Sequence, residues 1–322
     1  MSSHVISLEN SEGSDTYPDR ALPAFITKRA SKQTYYTIRF LVDRERVADA
    51  YRAYAYFRWV DDQLDENGLA GRARRIFIAR QQALIDCCQW SDGTDLCAFA
   101  PNPTWEERMV VELFRTDQEP ASGLHSYIQN MMAVMAFDAE RRGRLISQDE
   151  LTAYTRHLAT AVTDAVYYFI GHDQPCPQDN ARYLPTVAAH IVHMLRDTRE
   201  DLAAGYFNVP CEFLEAYHLD PCDIDNDHFR LWTRQQVQLA RDYFTIGKRR
   251  LAETKNWRRR IAGYAYIARF ECVLNTIEQE DYRLRPSYHE LKNVWSGLRM
   301  GWAVLSPLLS KRQQTSYTLQ NS

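Results

Sequence analysis

Two short stretches carry carboxylates at a spacing that could do chemistry. The first is YRAYAYFRWVDDQLDE, where Asp61, Asp62 and Asp65 sit close together. Read as a helix, it places Tyr51, Tyr54, Arg58, Asp61 and Asp65 on one face, because these positions are three and four apart. A solvated face has no need of two tyrosines, and a core does not accept three charges. Taken alone, a cluster of acids on one helix reads as ordinary exposed charge. The second stretch, HIVHMLRDTREDLAAGYFNVP, changes that reading. His190, His193, Asp197 and Asp201 again fall on one helix face. Asp61 with Asp65, and Asp197 with Asp201, thus make two DxxxD pairs.

If a bundle turns these helices toward each other, four carboxylates line one cavity. Inward like charges are costly without a partner, and divalent cations relieve the cost. Hard oxygen ligands suit Mg2+, more than one ion, held by carboxylates, waters and substrate phosphates. Neither cluster has the Cys and His sets that zinc prefers. An acid-lined Mg2+ site calls for a polyanion, and diphosphate is the simplest. Metal binding makes diphosphate a good leaving group. Its departure from an allylic carbon leaves a stabilised cation, which the faces of Tyr51 and Tyr54 can attract. Arg58, one turn from Asp61, can grip phosphate oxygens through two N–H groups.

The elements that must position these residues are helical. Among 322 residues, Gly and Pro number only 12 each, which favours helices over a turn-rich sheet. Hydrophobic residues make up 45% and charged residues 25%, a globular balance with enough chain for a large core. The net charge of -3 argues against a nucleic-acid surface. Seven cysteines show no CxxC pairing, and no signal peptide precedes them, so a reduced cytoplasmic setting is expected. No run of about 18 apolar residues exists. The nearest, Val294 to Leu309, is interrupted by Arg299 and Pro307 and offers a contact with a membrane or another subunit.

In chain order, residues 1–20 read as a polar tail. Helical periodicity starts near Ala24 and runs through SKQTYYTIRFLV, after which Asp43 is placed to cap the helix of the first acidic stretch. Further helices are expected over 72–90, from PNPTWEE onward, over 123–142, 148–171, 183–204, 227–253, 257–280 and 290–305. The stretch CEFLEAYHLDPCD reads as a loop. The helix over 123–142 has Tyr127, Met131, Val134 and Asp138 on one face; that over 148–171 has Tyr154, His157, Ala161, Asp164 and Tyr168. The expectation is an all-α, single-domain bundle over 21–310 around a central cavity, with polar tails at 1–20 and 311–322.

With these features in view, the chain resembles the squalene/phytoene synthase family, which joins isoprenoid diphosphates on an all-helical fold. The resemblance rests on YAYFRWVDDQLDE and LRDTREDLAAGYFNVP, flanked by SKQTYY and LNTIEQEDYRL, and spans roughly residues 25–300. It implies that Asp61, Asp65, Asp197 and Asp201 bind Mg2+. It places Ser31, Lys32, Tyr54 and Arg58 at the diphosphate or the departing group; Tyr51, Arg196 and Arg269 are further candidate substrate contacts, with a helix brace as the alternative role of Arg196 and of Glu200.

The chain departs from the family where the acceptor is chosen. A glutamine and an asparagine usual before the second acidic motif are replaced by His190 and His193. Glycines of the family's middle helix give way to His157, Thr160 and Thr163, and a tyrosine of the late helix aligns near Glu271. His157, Asp164, His190, His193 and Glu271 would all enter one cavity if the fold is kept, which suits a polar second substrate. In that reading a histidine takes a proton from the acceptor, while Glu271 or Asp164 orients it. Two activities follow. The family default joins two prenyl diphosphates head to head through a cyclopropyl intermediate, with NADPH use left open. The rival transfers one prenyl group to an aromatic acceptor, as squalene-synthase-like carbazole prenyltransferases do. Cyclisation of one prenyl diphosphate is a third outcome. A non-catalytic assembly role is disfavoured by the four aspartates and Arg58.

Overall fold

The computed structural model describes residues 21–65, 71–90, 103–117, 119, 121–174 and 179–288. Within them the chain forms eleven α-helices and no strand, the all-α architecture expected. These are α1 (Leu22–Ala30), α2 (Lys32–Leu41), α3 (Val47–Asp65), α4 (Gly71–Trp90), α5 (Trp105–Thr116) and α6 (Gly123–Arg141). They continue with α7 (Gln148–Phe169), α8 (Leu184–Ala204), α9 (Cys211–Tyr217), α10 (Asp227–Glu253) and α11 (Trp257–Gln279). The tails at 1–20 and 311–322, the SDGTD break, Glu66, the helix expected over 290–305 and the apolar stretch Val294 to Leu309 lie outside the described residues.

Local chemistry sets most boundaries. Ser31 divides the first helical run in two, its extended backbone opening α2 and its Oγ accepting the Thr34 N–H. Thr104 with Glu107 and Ser147 with Glu150 form capping boxes at α5 and α7. Asp43 does not cap α3 as expected. A 3-10 turn, Arg44–Arg46, intervenes, and the Asp43 side chain is drawn across the molecule. Its Oδ2 accepts the N–H groups of Gly171 and His172 and the His172 ring, and its Oδ1 accepts from Arg258. The stretch after α8 is not all loop, because α9 occupies its first turns.

The apolar interior has two parts. One gathers Ala55, Tyr56 and Val60 of α3 with Leu84 and Ile85 of α4, Val110 and Leu113 of α5, and Leu124, Ile128 and Met132 of α6. The other gathers Ala188, Ala189, Val192 and Leu195 of α8 with Ala240 and Phe244 of α10 and Ile267, Leu274 and Ile277 of α11. The antiparallel pair α6–α7 joins them. Gly247 lets α10 close on the first turn of α8, since a Cβ there would lie 2.4 Å from Pro185 Cγ. The first acidic helix therefore belongs to one half of the bundle and the second to the other.

Candidate active site

On the α3 side, Asp61 pairs with Arg58 at 3.0 Å, and Arg58 also holds Asp62. The Asp61 carboxyl is pushed up to about 7, chiefly by burial, which Arg58 opposes and Asp65, Asp138 and Asp62 reinforce. Its side chain nevertheless keeps 39% of its surface accessible. A carboxylate both accessible and desolvated lines a concave cleft, not a convex face. Asp65 is raised for the same first reason, burial. Tyr54 shares this wall: burial raises its hydroxyl, and hydrogen bonds to Ser31 and Thr34 oppose the rise. Tyr51 does not share it. Only 8% exposed, it packs in the core against Tyr35 and donates its hydroxyl to the Tyr35 carbonyl at 3.1 Å. Its expected substrate contact is replaced by a brace between α2 and α3.

On the α8 side, Arg196 grips Asp197 with both N–H branches, at 2.6 and 2.5 Å. Asp201 is pushed up to about 7, first by burial and then by Asp197. Gly205 ends α8 in the left-handed region at φ 85, where a Cβ would be strained. That turn sends Tyr206 and Asn208 back over the helix. Asn208 Nδ2 donates to Asp201 Oδ2 at 2.6 Å, and its Oδ1 accepts from Arg141 at 2.7 Å. The GYFNVP segment thus holds Asp201 in place.

The residue that links the two sides is Asp138 of α6. Its charge is felt by Asp61 and by Asp201, and it feels that of Asp65. Burial raises its carboxyl, against the pull of Arg141 at 2.6 Å and of the Tyr154 hydroxyl at 3.1 Å. The guanidinium of Arg141 is enclosed by the rings of Tyr154 and Tyr206, at 5.1 and 4.9 Å. Sequence reasoning placed Asp138 on a helix face with Tyr127, Met131 and Val134 but gave it no role. The available signal was the Asp138–Arg141 pair at i,i+3 on that face.

The other expected residues divide. His190 is buried against the Tyr154 ring at 5.2 Å, its Nε2 has no hydrogen-bond partner, and burial pushes it down to about 3. His193 meets Phe270 edge to face at 4.7 Å and is lowered, first by burial and then by Arg196. Both are neutral near pH 7 and sit on the α8 face that carries Asp197 and Asp201. Arg269 joins them: it donates to Gln33 at 3.0 Å, next to Ser31 and Lys32, and is lowered by burial and by Arg196. His157 and Asp164 lie on the seam between α6 and α7. Asn130 Oδ1 lies 2.8 Å from His157 Nδ1, while Ser126 donates to Asp164 at 2.7 Å and Arg182 lies 3.4 Å from it. Glu271 does not join the site. It receives Lys248 Nζ on both oxygens at 2.7 Å, on the α10 side of α11. The residue that faces His193 is its neighbour Phe270.

The aspartates fit Mg2+ by donor type: they offer hard oxygens, and burial pushes Asp61 and Asp201 up to about 7 around a desolvated cleft. Among the described residues, no three of Asp61, Asp65, Asp138, Asp197 and Asp201 converge on one point. Asp43, Glu45 and His172 do converge, elsewhere in the fold. The oxygens of Asp43 are already occupied by Gly171, His172 and Arg258, so this cluster is a latch joining α2, α7 and α11.

A comparison with curated protein sequences finds no match. Among solved structures, squalene synthase HpnC from Alicyclobacillus acidocaldarius is 20% identical, with a TM-score of 0.60, covering 83% of this chain and 95% of that one. A dehydrosqualene synthase in complex with ligand is 15% identical, with a TM-score of 0.63, covering 92% of this chain and 97% of that one. These likenesses give the fold. The family described as Squalene/phytoene synthase matches residues 27–297, which takes in both acidic helices, the α6–α7 pair and α11. The chain therefore belongs to the squalene/phytoene synthase family.

Proposed function

We propose that the protein is a Mg2+-dependent prenyltransferase that ionises an allylic prenyl diphosphate and joins the prenyl cation to a second prenyl diphosphate. The observation that carries this reading is that Asp61 and Asp201, on helices from opposite halves of the bundle, are both held near 7 around a shared Asp138. Such a cluster is short of positive charge. Asp61, Asp65, Asp197 and Asp201 would hold Mg2+, and the bound ions would neutralise the diphosphate and speed its departure. Arg196 and Arg269 supply fixed positive charge, the latter beside Gln33 near the α1–α2 junction. Arg58, held by Asp61 and Asp62, is placed to exchange a carboxylate for a phosphate oxygen. Below the carboxylates, His190 and His193 are neutral, so they do not repel a carbocation, and the Tyr154 ring lies against His190.

One observation favours a second reading, transfer to an aromatic acceptor. The unpartnered Nε2 of His190 would bond to a polar acceptor group and has no counterpart on a hydrocarbon. A base of such low pKa does not deprotonate a phenol, but it takes a proton from a cationic adduct. The test is incubation with dimethylallyl, geranyl, farnesyl or geranylgeranyl diphosphate in Mg2+ buffer, with and without NADPH, followed by analysis of organic extracts. A head-to-head hydrocarbon or its cyclopropyl precursor supports the first reading. Diphosphate release that requires an added aromatic acceptor overturns it and supports the second.

A further inference from the structure

The outer face of α1 and α2 has a chemistry unlike the rest of the chain. From Leu22 to Leu41 there are four cations, Lys28, Arg29, Lys32 and Arg39, and no acid, although the whole chain carries a net charge of -3. The buried positions of these helices, Pro23, Thr27 and Ile38, point inward. Outward lie Phe25, Lys28 and Arg29 of α1, and Lys32, Tyr36, Arg39 and Phe40 of α2. Both sets follow helical three-four spacing, so each helix offers one continuous exposed face. Phe25 is 61% exposed, Tyr36 48% and Phe40 65%, and the rings of Tyr36 and Phe40 stack at 6.1 Å. The end of α2 meets the start of α11, where Arg258 donates to the Leu41 carbonyl at 3.1 Å. Trp257, 59% exposed, and the exposed Lys255 extend the same surface there.

Large aromatic side chains left in water are costly, and single exposed ones need no explanation. Here four occur with five cations, and α1 and α2 themselves carry no acid. We propose that this face docks on the anionic surface of a phospholipid bilayer, the aromatic rings entering the headgroup region and the cations meeting lipid phosphates. The charge decides between occupants. Two copies of this chain meeting through the same face would oppose five cations with five, which disfavours a symmetric dimer. The contact is peripheral, because no described helix is long and apolar enough to cross a membrane. It is also distinct from the stretch Val294 to Leu309 singled out in the sequence. The face adjoins the α1–α2 junction, where Ser31 and Gln33 reach Tyr54 and Arg269. A lipid substrate would thus reach the site from the bilayer without crossing water, whichever acceptor is used.

The test is flotation of the full-length protein with vesicles of phosphatidylcholine alone and of phosphatidylcholine mixed with phosphatidylglycerol, across a salt series. The wild-type protein should bind the mixed vesicles at least about tenfold more tightly than the neutral ones and lose that preference at high salt. F25S/F40S/W257S and R29Q/R39Q should each weaken binding about tenfold or more, with melting temperature and turnover of a water-soluble short-chain prenyl diphosphate unchanged. Equal binding to both vesicles, no binding at low salt, or full binding by both variants overturns the proposal. So does a wild-type dimer in sedimentation velocity that F25S/F40S/W257S dissociates. The salt series on wild-type protein decides the matter even if a variant fails to fold.

Discussion

Replacing Asp61 with Asn should stabilise the metal-free protein while destroying its response to Mg2+. The Asp61 carboxyl is pushed up to about 7 by burial, against about 3.9 for a free aspartate. A carboxyl raised on folding is neutral in both states below about 4 and imposes its full penalty above about 7. The three pH units between set a ceiling of ~4 kcal/mol. Asp61 keeps 39% of its side-chain surface accessible, so solvent screening brings the expected gain of D61N down to ~1–2 kcal/mol. At ~2–4 °C per kcal/mol, the metal-free variant should melt several degrees above wild type at pH 8, and the difference should vanish near pH 4. In wild type, Mg2+ at a hundred times its Kd adds ~2.7 kcal/mol; in D61N most of that increment should be missing. Differential scanning fluorimetry across pH, with and without Mg2+, reads both effects. A metal-free variant less stable than wild type at pH 8, or one that keeps the full Mg2+ response, would refute the reasoning.

Asp138→Asn should lower turnover at least about tenfold, as losses of groups that orient metal ligands do, and Tyr154→Phe should lower it less; wild-type kinetics in both would remove Asp138 from the site. Glu271→Gln should leave turnover within about twofold and cost ~0.5–1 kcal/mol, because it breaks only partly exposed pairs, with Lys248 and at 3.8 Å with Arg241; a large loss of turnover with stability intact would return Glu271 to the chemistry. Acid should unfold the protein through Asp43 and Glu107, both held at about 2 in the fold. A lowered carboxyl contributes stability above its unfolded value near 4 and loses it as pH falls through 2, here ~2–3 kcal/mol for each. Asp43→Asn should therefore lower stability near pH 7 by ~2 kcal/mol and flatten the acid limb of a denaturant-melt series. An unchanged acid limb would mean that the Asp43 latch is not formed.

Helix type and order were legible in the sequence because periodicity and caps are local. In the structure the side chains of Ser31, Thr104, Ser147 and Asn226 each accept a backbone N–H in the first turn of the helix that follows. The two DxxxD pairs were legible because three-four spacing fixes a face. Which face meets which neighbour was not. Tyr51 shares its stripe with Asp61, yet α2 covers that end of α3 and turns the tyrosine into core. Asp43 looked like a cap because capping is judged locally, whereas its partners lie more than a hundred residues away. Glu271 lies on a different face from its neighbour Phe270 because one residue rotates a helix position by about 100°. Phe270 thus meets His193, while Glu271 meets Lys248. Asp138 escaped notice for a different reason. The Asp138–Arg141 pair at i,i+3 reads locally as an ordinary helix ion pair, and its meaning came only when α6 was seen between α3 and α8.

The central claim is that the two acidic helices form one diphosphate-ionising centre. The direct measurement is diphosphate release from farnesyl and geranylgeranyl diphosphate by wild-type protein, Asp61→Asn and Asp197→Asn, in Mg2+ and in EDTA. The account predicts release by wild type in Mg2+ only, with both variants silent. Release that survives EDTA, or that persists at the wild-type rate in both variants, would contradict it.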